Sequence, residues 1–563
     1  MRGGFAGIRL IPGITMIPGI MLLSGLAQAE IPSASASDFK AKCEALASPA
    51  NAPAILQASF VAAGPLKFAG PPPISITAPA HCQIQGALAP HTGLDGKSYA
   101  IGYELRLPAN WNGKFIFQGG GGSDGVLRPA IGIQATGEIA ALAKGYAIAS
   151  TDAGHRDEPG PVGPYLFGLD PQARIDKGYN HLPVVTAKAE ALIEAFYGKA
   201  PSRKYFVGCS NGGRQGMAAT QRYPALFDGV VAGAPAYRVP RAAIEGMAEV
   251  QVFASIAPKG EDGKPDLGAA LSSEDLKIIS DKITANCDAA DGLADGLVNN
   301  IRACKFDPLA LQCPAGQTTA CLPPKKANAI ARIFKGTRLA NGEMLYADWP
   351  WDPGIASPGW TVWKIGSPGK VPPDARNVTL VPGSVAYYFS SPPQKVTDLY
   401  DYTLSYDIDS GLKAVEAVSP PFREAGGATE AADSTNIDAF RAHGGKLIFY
   451  HGMADPIFSA NDTIAYVDAL AKRYGTASDF TRLYLVPGMN HCSGGPATDQ
   501  FDALSALDDW VENGQAPQSL VAKARNIPGV PWPGRSRPLC PYPSYASFSG
   551  SGNSEDAASF ACK

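Results

Sequence analysis

The chain has 563 residues, of which 45% are hydrophobic and 18% charged, and its formal net charge is -3 at pH 7. This length allows up to three domains, or one large core with an insertion. The slightly acidic balance supplies no basic surface, which argues against a nucleic-acid partner. Beyond residue 29 no stretch is apolar for the roughly 18 residues that a membrane span needs.

The first 29 residues have the pattern of a secretion signal. Arg2 and Arg9 precede an apolar stretch over residues 11–26, and Ala27-Gln28-Ala29 has the small-x-small form that signal peptidases cleave. An uncleaved membrane anchor is the alternative. We expect cleavage after Ala29 and a secreted or periplasmic protein without a membrane partner.

Strand-like and helix-like segments alternate from about residue 100 to residue 235, which is typical of an α/β fold. The predicted strands lie at 99–107, 114–117, 145–151, 204–207 and 227–233, and the predicted helices at 184–197 and 215–223.

The alternation lapses between residues 238 and 435, where Pro, Gly and aromatic residues dominate and shorter elements are expected. It resumes with strands at 446–451 and 482–486 and ends with a helix at 499–513. We therefore predict an α/β core in two parts, 30–237 and 436–563, with a lid domain at 238–435.

A candidate nucleophile motif lies between a predicted strand and a predicted helix. Gly208-Cys209-Ser210-Asn211-Gly212 fits the G-x-S-x-G elbow, in which a strained turn exposes the serine hydroxyl above the sheet. The motif alone also occurs by chance in a chain with 62 glycines. Its position between strand and helix favours Ser210 as a catalytic nucleophile.

A serine nucleophile needs a general base and an acid that orients the base. In hydrolases with this elbow the acid and then the histidine follow the serine in the chain, on loops after late strands. His491 follows the last predicted strand, although a loop histidine can also have no special role. Asp455 follows the preceding strand and is favoured over Asp462 and Asp468, which lie on the next predicted helix.

The ten cysteines suit five disulfides in an oxidising compartment, and no pair has the C-x-x-C spacing of a zinc or redox site. Cys209 adjoins Ser210 and Cys492 adjoins His491, so a bond between them would hold the serine and the histidine together. Two buried thiols are the alternative. Cys287 with Cys304 and Cys313 with Cys321 are short-range pairings whose loops are cheap to close, and Cys540 with Cys562 would tie down the Gly/Ser/Pro-rich tail.

An oxyanion hole requires two backbone N–H groups aimed at the developing charge. One is expected from Asn211, directly after the nucleophile. The other is expected from the glycine loop at 119–123, and we assign it to Gly121. This loop has neither the G-x-G-x-x-G spacing nor the Gly-Lys-Ser/Thr sequence of phosphate-binding loops.

Residues 287–297 contain three aspartates at intervals of three and four, with glycine after two of them. Calcium takes six to eight oxygen ligands from carboxylates and backbone carbonyls, so the segment is a candidate structural calcium loop. It lacks the glutamate at position twelve of an EF-hand. The alternative is a pair of solvated Asp-Gly turns. No cofactor is expected for catalysis itself.

The combination of Cys209-Ser210, Asp455 and His491-Cys492 resembles the pattern of the tannase and feruloyl esterase family. The resemblance extends over the mature chain and includes the glycine loop, Thr151-Asp152-Ala153-Gly154-His155, and the ending Arg537-Pro538-Leu539-Cys540-Pro541.

This resemblance implies an α/β-hydrolase core with a lid and five disulfides. The implied pairs are Cys43 with Cys82, Cys209 with Cys492, Cys287 with Cys304, Cys313 with Cys321, and Cys540 with Cys562. It also implies a lid calcium, bound by the carboxylates of Asp288, Asp291 and Asp295 and the carbonyls of Leu293 and Leu297.

The lid sequence bears on the substrate. Four of the seven tryptophans lie within 349–363, and aromatic residues recur at 387–389, so Trp360 and Phe389 are expected to contact an aromatic acyl group. These side chains can instead be lid core. Family members that bind a terephthalate monoester use a lid arginine, and residues 383–389 contain none; Arg376 or Arg423 are the candidate substitutes.

We expect a monomeric serine carboxylesterase that acts through an acyl-enzyme on small aromatic acid esters, with feruloyl (hydroxycinnamoyl) esters first. Hydrolysis of mono(2-hydroxyethyl) terephthalate or of a galloyl ester is the alternative within the family. A peptidase with a similar core and a non-catalytic phenolic-binding protein are the alternatives from other classes.

Overall fold

The computed structural model describes residues 36–48, 54–69, 73–527 and 529–563, and the predicted signal peptide lies outside these ranges. A mixed nine-stranded sheet forms the centre of the molecule. Its strands are β1 (Gln57–Val61), β4 (His81–Thr92), β5 (Ser98–Pro108), β6 (Lys114–Gln118), β7 (Ala147–Thr151), β8 (Arg203–Cys209), β9 (Gly229–Gly233), β10 (Lys446–Gly452) and β11 (Thr481–Val486). They lie in the order β1-β4-β5-β7-β6-β8-β9-β10-β11.

Three small antiparallel pairs lie outside this sheet. They are formed by β2 (Gly64–Phe68) with β3 (Ile74–Ala78), β12 (Leu520–Lys523) with β13 (Ser536–Leu539), and β14 (Ala546–Phe548) with β15 (Phe560–Cys562).

The helices divide between the sheet and the segment inserted after β9. Those outside residues 238–435 are α1 (Ala36–Glu44), α2 (Pro171–Ile175), α3 (His181–Tyr197), α4 (Asn211–Arg222), α14 (Asp438–Ala442), α15 (Ala460–Tyr474) and α16 (Ala503–Asn513). Those within residues 238–435, which we call the helical insert, are α5 (Val239–Ile256), α6 (Ser273–Cys287), α7 (Pro324–Phe334), α8 (Pro358–Lys364), α9 (Arg376–Thr379), α10 (Val381–Ser384), α11 (Leu399–Ser405), α12 (Ile408–Glu416) and α13 (Gly426–Glu430).

Strands β7, β6, β8, β9, β10 and β11 run parallel and are covered on both faces. Alternate residues of these strands belong to two different hydrophobic clusters, for example Phe206 to one and Tyr205 to the other. Helices α3, α4 and α15 supply the first cluster, and α16 supplies the second. Burial on both faces explains why these strands read as short, nearly continuous apolar runs.

The predicted α/β core is confirmed, since every strand and helix expected from the sequence between residues 99 and 233 and from 446 onwards is present with small shifts of its ends. Strands β1 to β4 and β12 to β15 were not expected from the sequence. The expectation of shorter elements in the insert is wrong for α5, which has 18 residues. Most of its residues are buried, so it has no broad polar face and little amphipathic periodicity to reveal it.

All ten cysteines are bonded. The pairs are Cys43 with Cys82, Cys209 with Cys492, Cys287 with Cys304, Cys313 with Cys321, and Cys540 with Cys562. These are the pairs that the family resemblance implies.

Two of these disulfides lie away from the serine elbow, each near the end of a helix. The Cys43–Cys82 bond ties α1 to β4 and has a Cα–Cα distance of 5.5 Å. The Cys287–Cys304 bond joins the end of α6 to a position 17 residues later and so encloses the Asp-rich loop. Both therefore have a structural role, the second one at the predicted calcium loop.

Among the helices in the part of the chain that the structure describes, none combines the length and the apolar character needed to cross a bilayer.

Candidate active site

Ser210 lies in a strained turn between β8 and α4. Its φ of 65° and ψ of -127° lie where a residue with a side chain is rarely found. Such a conformation costs about 1–3 kcal/mol and persists only when the surroundings fix it. The Ser210 N–H donates to the Gly233 carbonyl at 3.0 Å, and the Ser210 carbonyl accepts from the Arg214 N–H at 3.0 Å. The turn is therefore held by the neighbouring strand and by the first turn of α4.

The two outer glycines of the elbow are required by close backbone approach. A Cβ at Gly208 would lie 2.7 Å from the Gly212 carbonyl carbon, and one at Gly212 would lie 2.8 Å from the Gly120 carbonyl oxygen. Either side chain would force backbone apart. The G-x-S-x-G spacing thus lets the elbow pack directly against the glycine loop.

Asp455 and His491 form a hydrogen-bonded pair on the loops after β10 and β11. His491 Nδ1 lies 2.7 Å from Asp455 Oδ2, and Asp455 Oδ1 accepts the N–H groups of Ile457 at 2.9 Å and Phe458 at 3.0 Å. Burial would raise the pKa of Asp455, but the charge of His491 and hydrogen bonds from His451 and His491 outweigh it and hold this pKa well below its usual range. Asp455 is therefore an ionised acceptor that orients the His491 ring.

The rival acids have other partners. Asp462 is buried and pairs with Arg238, while the exposed Asp468 accepts a hydrogen bond from the Tyr542 hydroxyl at 3.2 Å. His491 Nε2 is buried and has no hydrogen-bond partner among the described residues, Ser210 included. Catalytic hydrogen bonds of this kind often tighten only when substrate binds. The structure thus pairs His491 with Asp455 and leaves Nε2 available.

The Cys209–Cys492 disulfide connects the elbow to the histidine loop. Its Cα atoms lie 6.0 Å apart, and its partners are 283 positions apart in sequence. Ser210 follows Cys209 directly, and His491 precedes Cys492 directly. The bond therefore fixes the distance between the two backbone segments that carry Ser210 and His491.

The glycine loop lies over the start of α4 and is tied to it by side chains. The Gly120 N–H donates to Gln215 Oε1 at 2.9 Å, and the Gly121 N–H donates to Asp124 Oδ1 at 3.2 Å. The Asn211 side-chain amide donates to Asp124 Oδ2 at 2.7 Å. Gly121 and Asn211, the predicted oxyanion donors, are thus brought together through Asp124, a contact that the sequence analysis did not foresee.

The helical insert packs directly on the histidine loop. Asp352 accepts the N–H of Gly488 at 2.9 Å, and the Ser357 hydroxyl donates to Asn490 Oδ1 at 2.7 Å. A Cβ at Gly359 would lie 2.4 Å from that same Asn490 oxygen. The insert therefore supports the loop that positions His491.

Two aromatic rings flank His491. The Trp363 ring centroid lies 5.7 Å from that of His491 in an edge-to-face arrangement, and the Phe458 centroid lies 5.4 Å from it. Trp363 is only half-buried. It belongs to the tryptophan-rich stretch noted in the sequence, but nothing in the sequence singled it out from Trp360.

The two side chains predicted to contact substrate lie deeper. Trp360 is 4% exposed and packs edge-to-face against Phe253, with ring centroids 6.1 Å apart. Phe389 is 0% exposed and packs against Tyr388. Trp360 belongs to a hydrophobic cluster of the insert, and Phe389 belongs to a cluster that the insert shares with the core. A substrate contact for either residue stays a prediction.

Arg376 lies beside Trp363 at the surface. Its guanidinium carbon is 5.2 Å from the Trp363 ring centroid. The side chain is exposed, and it makes no hydrogen bond or ion pair with any described residue. Arg376 is thus a free cation one aromatic ring away from His491.

The Asp-rich loop follows α6 in the insert. Asp288 Oδ1 is buried without a hydrogen-bond partner among the described residues, which suits a cation ligand. Asp295, in contrast, pairs with Arg537. Across the described part of the chain, no three His, Cys, Asp or Glu side chains are gathered so that they could hold a metal ion. The calcium site therefore stays a prediction.

The sheet order, the strained serine turn and the flanking helices define an α/β-hydrolase. Comparison with known proteins then gives the family: the sequence profile "Tannase and feruloyl esterase" matches residues 82–563. The chain belongs to the tannase and feruloyl esterase family, and it is a carboxylic ester hydrolase.

Two relatives agree with this assignment, and a solved structure agrees with the fold. The chain is 42% identical over 515 residues to the mono(2-hydroxyethyl) terephthalate hydrolase of Piscinibacter sakaiensis. The matched region covers 86% of this chain and 85% of the relative. It is 27% identical over 486 residues to a "Probable feruloyl esterase B-1" of Aspergillus fumigatus, covering 82% of each chain. The crystal structure of feruloyl esterase B from Aspergillus oryzae matches with a TM-score of 0.75 at 24% identity, covering 93% of this chain and 100% of that one.

Proposed function

We propose that the protein hydrolyses esters of aromatic carboxylic acids with Ser210 as nucleophile, His491 as general base and Asp455 as the acid that orients it. The observation that carries this proposal is the Asp455–His491 hydrogen bond of 2.7 Å on a loop bonded covalently to the serine elbow. The arrangement has the roles of a serine hydrolase triad.

The proposed reaction proceeds in two halves. Ser210 Oγ attacks the ester carbonyl carbon while His491 Nε2 takes the hydroxyl proton, and the amides of Gly121 and Asn211 stabilise the oxyanion. His491 then gives its proton to the departing alcohol, leaving an acyl-enzyme. Water attacks this intermediate by the same route and releases the acid. Because the ionised Asp455 accepts from Nδ1, the neutral His491 keeps its proton there and can accept at Nε2.

We place hydroxycinnamate esters first among the substrates. The half-buried Trp363 beside His491 supports an aromatic acyl group near the reacting carbonyl, because aromatic rings favour edge-to-face and offset contacts. A hydroxycinnamate needs no fixed cation in the site. The feruloyl esterases among the relatives are consistent with this choice.

A second substrate class is an aromatic monoester that carries a free carboxylate. The specific observation in its favour is Arg376, which is exposed, unpaired among the described residues and stacked near Trp363. A guanidinium binds a carboxylate in a planar, bidentate geometry. The relative at 42% identity is named for such a monoester.

The test combines mechanism with substrate choice. We expect Ser210→Ala to abolish both hydrolysis and covalent labelling by a fluorophosphonate, while the exposed control Ser202→Ala keeps both. Wild-type kcat/KM is compared for methyl ferulate, methyl gallate and mono(2-hydroxyethyl) terephthalate. Near wild-type turnover by Ser210→Ala would exclude the mechanism, and rapid cleavage of matching amides would favour a peptidase.

We also propose that the protein is exported, monomeric and stabilised by calcium. Five disulfides suit an oxidising compartment.

The unpartnered Asp288 oxygen supports a calcium ion beside Asp291 and the carbonyls of Leu293 and Leu297. Asp295, which pairs with Arg537, would turn from it to complete the ligand set. Mass spectrometry of the exported protein tests cleavage after Ala29, and sedimentation tests the monomer.

A further inference from the structure

The Asp124 carboxylate contacts both residues that we assign to the oxyanion hole. Its Oδ1 accepts the Gly121 N–H at 3.2 Å, and its Oδ2 accepts the side-chain amide of Asn211 at 2.7 Å and that of Gln215 at 3.0 Å. Gly121 and Asn211 come from separate elements, the loop after β6 and the start of α4. Asp124 therefore links the two halves of the proposed hole.

The local backbone is shaped to place this carboxylate. Asp124 has a φ of 65°, in the left-handed region that a residue with a side chain seldom adopts. A Cβ at Gly120 would lie 1.8 Å from Asp124 Oδ1, so only glycine leaves room for the carboxylate there. Asp124 is 7% exposed. A buried, strained position of this kind persists only where the surroundings over-determine it.

Two buried cations offset the negative charge. Burial raises the pKa of Asp124 to about 6, and the charges of Lys177 and Arg214 oppose this rise. Arg214 also donates to Asn211 Oδ1 at 2.7 Å, so the Asn211 side chain is held at both ends. A bare carboxylate beside a developing oxyanion would repel it. The cations thus make a carboxylate tolerable behind the hole.

Glu430 of the helical insert balances these cations. It lies 2.6 Å from Lys177 Nζ and 3.2 Å from Arg214 Nε, and all three side chains are at most 1% exposed. Together with Asp124 the network contains two carboxylates, Asp124 and Glu430, and two cations, Lys177 and Arg214. Its charges are therefore matched, which buried ionic groups require.

We infer that Asp124 is a positioning residue that ties the glycine loop to the Asn211 side chain and so sets the separation of the two proposed oxyanion donors, and that Arg214, Lys177 and Glu430 fix it in place. The bond from the Gly121 N–H to Asp124 is long, at 3.2 Å, so this N–H shares its hydrogen with the oxyanion in a three-centre arrangement. This inference rests on the proposed serine mechanism. Donors arranged in advance act on the transition state and not on the bound ester. Loss of Asp124 therefore lowers kcat and weakens tetrahedral adducts while leaving ground-state binding intact.

The test uses Asp124→Asn in the full-length enzyme. An asparagine has the same shape, but its N–H₂ group replaces one carboxylate oxygen. This donor then faces another donor, either the side-chain amides of Asn211 and Gln215 or the N–H of Gly121. We expect kcat to fall about a hundredfold with KM within about threefold of wild type, by analogy with the loss of one oxyanion donor. The Ki of an aryl trifluoromethyl ketone, which forms a tetrahedral adduct with the serine, rises by the same factor. The Ki of the product acid stays unchanged.

Two further variants separate positioning from general damage. Asp152→Asn removes another buried carboxylate near the loop, one that accepts the N–H groups of Gly102 and Gly154, and we expect it to keep kcat. Asn211→Ala keeps the backbone N–H but removes the bond to Asp124, and we expect about a tenfold loss with the same parallel between kcat and the ketone Ki. If Asp124→Asn does not fold, this second variant carries the test.

The outcomes distinguish this inference from the proposed mechanism. A wild-type enzyme that resists fluorophosphonate labelling, with an active Ser210→Ala variant, would exclude the serine mechanism. A labelled wild type whose folded Asp124→Asn variant keeps kcat, or loses kcat without weakening ketone binding, would overturn only the role of Asp124.

Discussion

Cys209 and Cys492 are joined by a disulfide whose Cα atoms lie 6.0 Å apart, and each is the immediate neighbour of one proposed catalytic residue. Ser210 and His491 belong to different loops of the core. Their relative position therefore depends on a covalent bond as well as on packing.

Replacing both cysteines, Cys209→Ala with Cys492→Ala, should lower stability and activity together. Loss of a native disulfide removes about 2–5 kcal/mol of unfolding free energy. We expect kcat to fall further than stability alone explains, because His491 can drift from Ser210. Thermal melts and kinetics at a temperature where both proteins are folded give the answer. The matched control, Cys313→Ala with Cys321→Ala, opens a loop of 8 positions in the insert and should spare kcat; equal kcat losses in the two pairs would contradict the prediction.

Asp455→Asn should reduce kcat about 10⁴-fold with little change in fold. The asparagine amide donates its N–H to His491 Nδ1, so the neutral ring carries its proton on Nε2. That tautomer cannot accept the serine proton at Nε2. The exposed Asp468→Asn serves as the control and should keep full activity. Equal kcat values for Asp455→Asn and wild type, measured with the best ester of the panel, would contradict the acid role of Asp455.

Arg376→Gln should discriminate between the two substrate classes. We expect KM for mono(2-hydroxyethyl) terephthalate to rise about tenfold, since a charge-assisted hydrogen bond contributes about 1.5–3 kcal/mol. KM for methyl ferulate should stay close to that of wild type. Arg423→Gln tests the other candidate from the sequence in parallel, and a KM change confined to that variant would move the carboxylate role to Arg423. The carboxylate role fails if Arg376→Gln leaves both KM values unchanged.

Asp352 should make stability depend on pH in a defined direction. Burial raises its pKa from 3.8 to about 6, against the hydrogen bonds from Gly488 and Gly354. A carboxyl with a raised folded pKa contributes stability that is present below about pH 4 and is lost as the pH rises through about 6. We expect the unfolding free energy of wild type minus that of Asp352→Asn to fall by about 3 kcal/mol between about pH 4 and pH 7. Urea unfolding at each pH measures it, and a difference that grows with pH would refute the assignment.

Chelation should destabilise the protein if the Asp-rich loop binds calcium. Burial raises the pKa of both Asp288 and Asp291, and the charge of Asp295 adds to this effect, so a divalent cation would relieve the unfavourable charges. Saturating calcium at about a hundred times its Kd would contribute about 2.7 kcal/mol. We expect EDTA to lower Tm and added calcium, but not magnesium, to restore it. A Tm that is insensitive to EDTA, with no calcium found by elemental analysis, would exclude the site.

Local chemistry made much of the core predictable, and also the loops that carry the three proposed catalytic residues. The elbow at Ser210 must be glycine-flanked because its neighbours touch backbone, and Asp455 and His491 follow strands that short apolar runs reveal. Asp462 and Asp468 could be ranked below Asp455 because they fall on a helix.

Disulfide pairing was predictable only in part from the residues themselves. Loop closure made short-range pairs such as Cys287 with Cys304, 17 positions apart, cheap to form, but nothing local to Cys43 or Cys82 indicates that the two are bonded. That pair followed from the family resemblance, since the contact between α1 and β4 depends on the folded chain.

Contacts between distant segments were not predictable in the same way. The sequence shows Asp124 beside four glycines, but not that its carboxylate meets Asn211. The four clustered tryptophans look alike in sequence, and only the packing of α8 against the histidine loop puts Trp363 beside the ring while Trp360 is buried. Such contacts depend on how the insert folds back on the core.

Glu430 restricts how lids can be exchanged within this family. A chimera that takes residues 238–435 from a relative removes the insert carboxylate that meets Lys177 and Arg214, leaving two buried cations beside Asp124. An uncompensated buried charge costs about 3–5 kcal/mol. Transplanted lids will therefore be accepted by this core only when they bring an acid to the same place, whatever ester their own aromatic residues select.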